Sequence, residues 1–157
     1  MKFSSQEEYG LRCLLHIARS TRASGTGASV TIGEISRAEG LSTANVGKLL
    51  RILRLAGVVT SERGREGGYS LATVPEEIRI GTVLDHLGGR IVAEEFCSRH
   101  SGTRPICVHS VDCSVISLWE RVQTAVDDVL LSTTLADLLP EDEAASIQSE
   151  RVELSAD

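Results

Sequence analysis

No stretch of this chain is apolar for long enough to cross a membrane as a helix. A membrane-spanning helix needs a run of about 18 or more apolar residues, and the 157 residues contain no such run. The amino terminus also lacks the pattern of a secretory signal, because Glu7, Glu8, Arg12 and His16 interrupt its apolar residues. We therefore expect a cytoplasmic protein without membrane association, in a compartment where disulfides are rare.

Sequence motifs for catalysis are also missing. The chain has no phosphate-binding loop, no Ser, His and acid arrangement for nucleophilic catalysis, and no carboxylate pair that can be placed in one pocket. It has no internal repeat either. These absences argue against an enzyme and leave binding or regulation as the expected role.

The net charge of −6 is distributed unevenly along the chain. Seven acidic residues and one arginine follow Ala136, whereas residues 1–136 carry 15 acidic and 15 basic side chains. Within residues 43–68, five Lys and Arg side chains face only two Glu. A locally basic segment beside an acidic tail is compatible with DNA binding. A solvated helix face would explain the same charges, so charge alone does not establish DNA binding.

Two short helices joined by a tight turn are predicted between residues 31 and 56. In the first, Thr31 and Glu34 have the spacing of a capping box, and Gly40 ends the helix. The second helix has a stripe of apolar residues at helical spacing, namely Val46, Leu49, Leu50 and Leu53. Its outer face presents the residues that we expect to contact DNA: Thr43, Ala44, Asn45, Lys48 and Arg51. This layout is typical of a helix-turn-helix, whose second helix enters the major groove.

The segment VVTSERGREGGYSLA predicts a two-stranded hairpin directly after this helix. We expect strands at 58–62 and 69–73, joined by a turn with two arginines and three glycines. Glycines let the backbone approach closely, and Arg63 and Arg65 are placed to reach phosphates or a narrow minor groove. Such a hairpin is a wing, so we expect residues 1–80 to form a mainly α, winged helix-turn-helix DNA-binding domain.

A long helix is expected from about Ser114 to Leu131, after a short helix that ends at Gly88. The winged helix already has its own core, so the apolar stripe of the long helix predicts contact with a second subunit. The expected interface residues are Val115, Leu118, Trp119, Val122, Val126 and Val129. We expect residues 81–139 to contain this dimerisation helix and a sensor loop, and residues 140–157 to form an acidic, disordered tail. A homodimer suits a palindromic operator.

Three of the four cysteines, Cys97, Cys107 and Cys113, lie between the short helix and the long one. They could be disulfide partners, metal ligands or reactive thiols, and a cytoplasmic location disfavours disulfides. Zinc held with His100 or His109 is chemically reasonable, but the spacing is unlike that of common zinc modules. Thiolates are also the ligands that iron–sulfur clusters need. Cys113 begins the long helix, where the macrodipole favours negative charge.

Five segments resemble, in order, the bacterial winged-helix repressor family of IscR and NsrR. They are EEYGLRCLLHIA, IGEISRAEGLS, LLRILRLAGVVTSERGREGGYSLATVPEEI, the cysteine loop and LWERVQTAVDDVLLSTTLADLL, which span nearly all of residues 1–139. GVVTSERGREGGYSLA is the most specific part. The resemblance implies a homodimeric transcription factor whose helix at 43–56 reads the major groove. It also implies that the wing enters the minor groove and that the long helix crosses to the other subunit.

The resemblance also implies a sensor. Sensing members of the family hold an iron–sulfur cluster on three cysteines, and the matching positions are Cys97, Cys107 and Cys113. The histidine that completes the site in IscR-like members is replaced here by Ile116. In NsrR-like and RsrR-like members a carboxylate of the first helix, from the other subunit, is the remaining ligand, and Glu8 occupies that place. The nine residues between the first two cysteines and the long connection after the first helix depart from the family pattern.

We therefore expect a homodimeric transcriptional regulator, a repressor in keeping with the family. Its binding to a palindromic DNA operator would be modulated by a 2Fe-2S or 4Fe-4S cluster that senses redox state, nitric oxide or iron status. The alternative is a cluster-free regulator of the same fold. That regulator would respond through thiol oxidation, a small molecule or a protein partner.

Overall fold

The computed structural model of the chain describes residues 4–24, 29–62, 64, 67–88, 101–107, 109 and 113–140. Within these residues the chain forms five α-helices and a two-stranded antiparallel sheet. The elements are α1 (Ser5–Ser24), α2 (Ile32–Glu39), α3 (Thr43–Leu55), β1 (Val59–Ser61), β2 (Tyr69–Leu71), α4 (Ile80–Leu87) and α5 (Ser114–Ser132). Short 3-10 helices lie at Pro75–Glu77 and Ala136–Leu138. No helix in the described ranges is long and apolar enough to span a membrane.

The helix pair α2–α3 has the caps that the sequence predicts. Thr31 Oγ1 accepts the N–H of Glu34 at 3.2 Å, and the Glu34 carboxylate accepts the N–H of Thr31 at 2.8 Å, which completes the capping box. Gly40 ends α2 in the left-handed region, with φ +67°. Ser42 then caps α3 by accepting the N–H of Asn45 at 3.2 Å. The predicted helix-turn-helix is confirmed.

One apolar core joins α1, α3, α4 and the segment that follows α5. Each of the four predicted stripe residues of α3 is at most 1% exposed. Burying one such side chain contributes about 1.5–3 kcal/mol, so these contacts fix the orientation of α3 and leave its other side exposed. The largest fully buried side chains outside α3 are those of Leu14, Ile17, Ile35, Leu87 and Leu135.

The hairpin after α3 is shorter than predicted, and a third segment extends it. β1 and β2 pair over three residues each, rather than five, with Thr60 opposite Ser70. On the other side of β2, Val30 exchanges two backbone hydrogen bonds with Tyr69, at 2.9 and 2.8 Å. Gly68 permits this approach, because a Cβ at that position would lie 2.8 Å from the Val30 carbonyl oxygen. The base of the wing is thereby tied to the segment that leads into α2.

The chain returns to the winged helix after α5. The Ile80 N–H donates to the Thr133 carbonyl at 3.0 Å, and the Leu135 N–H donates to the Ile78 carbonyl at 2.8 Å. Because Leu135 is fully buried, the end of α5 is fixed to the body that carries α3. The core is continuous across residue 80, and the predicted boundaries at residues 80 and 139 remain predictions. The predicted disordered tail lies outside the described residues, which end at residue 140.

Candidate DNA interface and sensor site

The outer face of α3 carries basic side chains and no acidic one. Six residues of α3 are exposed: Thr43, Ala44, Lys48, Arg51, Arg54 and Leu55. Asn45, whose N–H donates to the N-cap Ser42, is half-buried. The structure therefore brings the predicted DNA-contacting residues of this helix onto its solvent side, opposite the buried stripe. Arg54 was not among the predicted residues, although it follows Arg51 at helical spacing.

A charged network reinforces the packing of α2 against α1. The Glu39 carboxylate accepts a hydrogen bond from Arg12 Nε at 2.9 Å and lies 3.5 Å from His16 Nδ1. Arg12 also donates to the Glu39 backbone carbonyl at 2.8 Å, and its guanidinium lies over the Tyr9 ring, 5.7 Å from the centroid. Carbonyls at the end of a helix lack partners within the helix, so Arg12 stabilises the end of α2. The network thus holds the helix-turn-helix against α1.

Cys13 lies beneath this network and is fully buried. Burial, and to a smaller extent the negative charge of Glu39, raises the pKa of the Cys13 thiol to about 11. The thiol is therefore neutral at physiological pH and shielded from solvent. We assign it to the core and not to a reactive or metal-binding site.

The two arginines of the predicted wing, Arg63 and Arg65, lie outside the described residues. Between them, Gly64 has φ +125°, a conformation that L side chains rarely adopt. The Glu62 N–H donates to the Gly68 carbonyl at 2.9 Å and closes the hairpin. The described residues on either side of the arginines therefore form the tight hairpin end that the glycines predict.

Two of the three loop cysteines are described. Cys107 and Cys113 are half-buried free thiols, and His109 is exposed. Cys97 and His100 lie outside the described residues. Within the part of the chain that the structure describes, no group of three His, Cys, Asp or Glu side chains could hold a metal ion. The three-cysteine ligand set remains a prediction.

Cys113 is the N-cap of α5. Its Sγ accepts the N–H of Ile116 at 3.4 Å. The start of a helix carries partial positive charge, and the first turn of α5 has no acidic residue to oppose it. The site is therefore electrostatically suited to an anionic ligand set that includes this sulfur.

Glu8 is exposed in the first turn of α1. The neighbouring Gln6 amide donates to the Leu87 carbonyl at 2.8 Å, so this turn lies beside the end of α4. Gly10 permits the close packing, because a Cβ there would lie 2.6 Å from Leu87 Cδ1. Glu8 thus lies at the end of the molecule where its own chain enters the cysteine loop. Its role as a ligand from the partner subunit remains a prediction.

The apolar stripe of α5 is accessible to solvent along much of its length. Four of the six predicted interface residues are exposed: Val115, Leu118, Trp119 and Val129. The other two, Val122 and Val126, are half-buried. Several large apolar side chains exposed on one helix mark an interaction surface. Such a surface is the kind that a second subunit would cover.

A sequence profile of the Rrf2 family, described as an iron-dependent transcriptional regulator, matches residues 3–141. The chain belongs to the Rrf2 family. This match confirms the resemblance seen in the sequence, because regulators named IscR are among the relatives of this Rrf2 protein.

Relatives of this Rrf2 protein match it over most of both chains. Protein rrf2 of Nitratidesulfovibrio vulgaris is 34% identical over 139 residues, which cover 88% of this chain and 87% of that protein. The regulator IscR of Vibrio atlanticus is 29% identical over 147 residues, which cover 94% of this chain and 80% of that protein.

Solved structures of similar proteins share the fold. T. potens IscR matches with a TM-score of 0.68 and 32% identity, over 92% of this chain and 90% of that one. CymR, described as the global cysteine regulator of B. subtilis, matches with a TM-score of 0.64 and 30% identity, over 88% of this chain and 95% of that one. The predicted fold class, mainly α with a winged helix-turn-helix, is therefore confirmed.

As a member of the Rrf2 family, the protein is a DNA-binding transcriptional regulator. Several of its relatives are named as transcriptional regulators, which are not enzymes. At the level of the family, this agrees with a sequence that carries no catalytic motif.

Proposed function

We propose that this Rrf2 protein is a homodimeric regulator whose operator binding is modulated by an iron–sulfur cluster on Cys97, Cys107 and Cys113. One observation carries the proposal: α5 begins at a thiol of the cysteine loop, and the segment that directly follows it enters the core of the DNA-binding body. Cys113 caps its first turn, and Leu135, three residues beyond its last turn, is fully buried.

In this arrangement, α5 directly connects the proposed sensor to the DNA-binding body. The far end of α5 is held by two backbone hydrogen bonds: the Ile80 N–H at the start of α4 donates to the Thr133 carbonyl, and the Leu135 N–H donates to the Ile78 carbonyl. A ligand shifts an equilibrium only if it interacts differently with the two states. Loss of sulfur ligation at Cys113 would change the interactions at the free end of a helix that is otherwise fixed. The position of the partner subunit on α5 would then change with it.

The proposed reading surface is the outer face of α3. Residues near the start of a recognition helix contact base edges, which assigns this role to Thr43, Ala44 and Asn45. The cations Lys48 and Arg51, further along, would contact phosphates and set the position of the helix. The wing arginines Arg63 and Arg65 would enter the minor groove.

The described donors fit an iron–sulfur cluster. Cys107 and Cys113 are free, partly accessible thiols, and thiolate is the ligand type that these clusters require. When bound, the cluster would supply a redox centre whose oxidation or loss can be sensed. Glu8 is exposed and carries a carboxylate, so the partner's copy of this residue is free of the core and available as the remaining, weaker ligand.

Spectroscopy of protein purified without oxygen tests the cluster. We expect the wild type to be coloured, with a Mössbauer spectrum that gives the cluster type. The Cys107→Ala and Cys113→Ala variants should lose the colour, whereas Cys13→Ala, which removes a buried thiol, should keep it. A colourless, iron-free wild type from iron-replete anaerobic cells would rule out the cluster.

Two substitutions on α3 test the reading surface. Lys48→Ala should weaken binding to all duplexes and reduce the slope of log K against log salt by about one. Asn45→Ala should change the preferred sequence, because base contacts specify and phosphate contacts position. Unchanged binding by both variants in gel-shift titrations would place the DNA surface elsewhere.

A second candidate function is cluster-free regulation by thiol oxidation. It is favoured by the observation that Cys107 and Cys113 are both free, partly exposed and close in sequence. Two thiols would give up two electrons and two protons to an oxidant such as a peroxide and form one disulfide. An iron-free protein whose operator affinity changes on peroxide treatment, with loss of the change in Cys107→Ala, would support this function over the first.

A further inference from the structure

The basic face of α3 has no acidic partner in the described part of the chain. Lys48, Arg51 and Arg54 are exposed, and no described carboxylate lies within salt-bridge distance of them. The carboxylates of α2 serve other purposes: Glu34 completes the capping box, and Glu39 pairs with α1. The face therefore attracts any mobile negative charge that can reach it.

Residues 141–157 carry a net negative charge. Residues 141–157 contain six acidic residues and one arginine. Exposed opposite charges attract over a Debye length of about 8 Å at physiological salt. The segment and the basic face therefore have complementary charge, and salt should weaken any contact between them.

The acidic segment begins at the end of α1. Arg22 donates to the Pro140 carbonyl at 2.9 Å, which places the last described residue against the end of α1. Because α1 packs against both α2 and α3, the segment leaves the body from a helix that contacts the helix-turn-helix.

The segment is long enough to reach α3. An extended chain spans about 3.3–3.6 Å per residue, so 17 residues reach roughly 55–60 Å. A domain of this size has a radius of gyration of only about 14 Å. A short tether also gives an effective concentration in the millimolar range, so weak contacts are enough.

We propose that residues 141–157 bind the basic outer face of α3 in their own chain and compete there with DNA. The proposal rests on the proposed role of α3 in reading DNA. Any duplex must displace the segment, so the segment lowers the affinity for operator and non-operator DNA by the same factor. Because the contacts are exposed ion pairs, this factor is roughly tenfold at about 50 mM salt and approaches one as salt rises.

DNA titrations of matched variants test the competition. A chain that ends at Pro140 should bind the operator roughly tenfold more tightly than the full chain at about 50 mM salt, with a steeper salt slope. A full-length variant with the six acidic residues of the tail changed to Gln or Asn should behave like the truncated chain. A scrambled tail of the same composition should behave like the wild type. Equal affinity of truncated and full-length chains, or a neutral tail that still inhibits, would overturn the proposal.

Zero-length cross-linking tests the contact itself. The chain has two lysines, Lys2 and Lys48, so carbodiimide coupling of carboxylates to amines yields few products. We expect a product that joins Lys48 to a tail carboxylate and that high salt, excess operator or the Lys48→Arg change abolishes. Coupling of the tail to Lys2 or the amino terminus alone would contradict the proposed contact.

Failure of this inference is distinguishable from failure of the proposed function. If Lys48→Ala weakens DNA binding but truncation has no effect, α3 reads DNA and the tail does not compete. If Lys48→Ala leaves the binding of the truncated chain unchanged, the reading surface itself is wrong.

Discussion

Leu118 lies in the exposed stripe of α5, and its replacement by alanine measures how much this stripe contributes to a dimer. The side chain is 51% exposed in the single chain. Full burial of a leucine side chain contributes about 1.5–3 kcal/mol, so a partner that covers the exposed half would gain about 1 kcal/mol. A two-fold interface contains the residue twice. We therefore expect Leu118→Ala to weaken the dimer by about 2 kcal/mol, or roughly 30-fold in Kd.

Sedimentation equilibrium over a range of protein concentrations gives this dissociation constant. Leu55→Ala is the matched control, because Leu55 is 71% exposed but lies at the end of α3. We expect the control to dimerise like the wild type, and both variants to keep the wild-type circular dichroism spectrum. An unchanged Kd for Leu118→Ala, or an equal loss in Leu55→Ala, would refute the assignment of α5 as the interface.

Three further predictions concern stability and reactivity. Thr31→Ala should lower the free energy of unfolding by about 1 kcal/mol in urea titrations, because it removes the cap of α2. The hydrogen bonds from Thr31 also hold the pKa of Glu34 below its usual value of 4.5. The stability they contribute is therefore complete above pH 4.5 and is lost as the pH falls through the lowered pKa. Thr31→Ala should show a smaller loss, because only the backbone hydrogen bond to Glu34 remains. Gly68→Ala should cost about 1–3 kcal/mol, because its Cβ would lie 2.8 Å from backbone atoms. Gly47→Ala, whose Cβ would lie 3.8 Å from its nearest neighbour, should stabilise α3 by up to about 1 kcal/mol. Equal stability of the two glycine variants would contradict this packing. Alkylation of the iron-free protein at pH 8, followed by peptide mapping, should label the half-buried loop thiols well before Cys13, whose pKa is about 11. Early labelling of Cys13 would contradict its burial.

The helix-turn-helix could be predicted almost residue by residue because its signals are local. The Thr31–Glu34 box, the left-handed Gly40 and the Ser42 cap each depend on neighbours within a few residues. The buried stripe of α3 follows from a period of 3.6 residues. Such patterns can be read without knowledge of the rest of the chain.

Contacts between distant segments could not be predicted in this way. Nothing near Val30 indicates that it pairs with Tyr69, and nothing near Leu135 indicates that it is buried against the segment before α4. The Arg12–Glu39 pair joins two helices whose relative position only the folded chain determines. Such pairings need three-dimensional information, because each residue alone fits several environments.

The prediction of the sensor site depended on family resemblance, because the loop residues alone fit several chemistries. Three cysteines in a loop are compatible with zinc, a cluster or thiol chemistry, since spacing does not identify the metal. The structure adds that Cys113 caps α5 and that α5 is fixed to the DNA-binding body at its other end. Only the folded chain reveals this connection between the Cys113 thiol and the DNA-binding body, on which the proposed regulation depends.

The most direct test of cluster-dependent regulation is the operator affinity of one anaerobic preparation before and after its iron is removed by a chelator. We predict that the affinity for the operator changes at least about tenfold, which corresponds to a coupling free energy of about 1.4 kcal/mol. The operator affinity of the Cys113→Ala protein should be the same with and without the chelator. An iron-containing wild type whose operator affinity is the same before and after chelation would contradict cluster-dependent regulation.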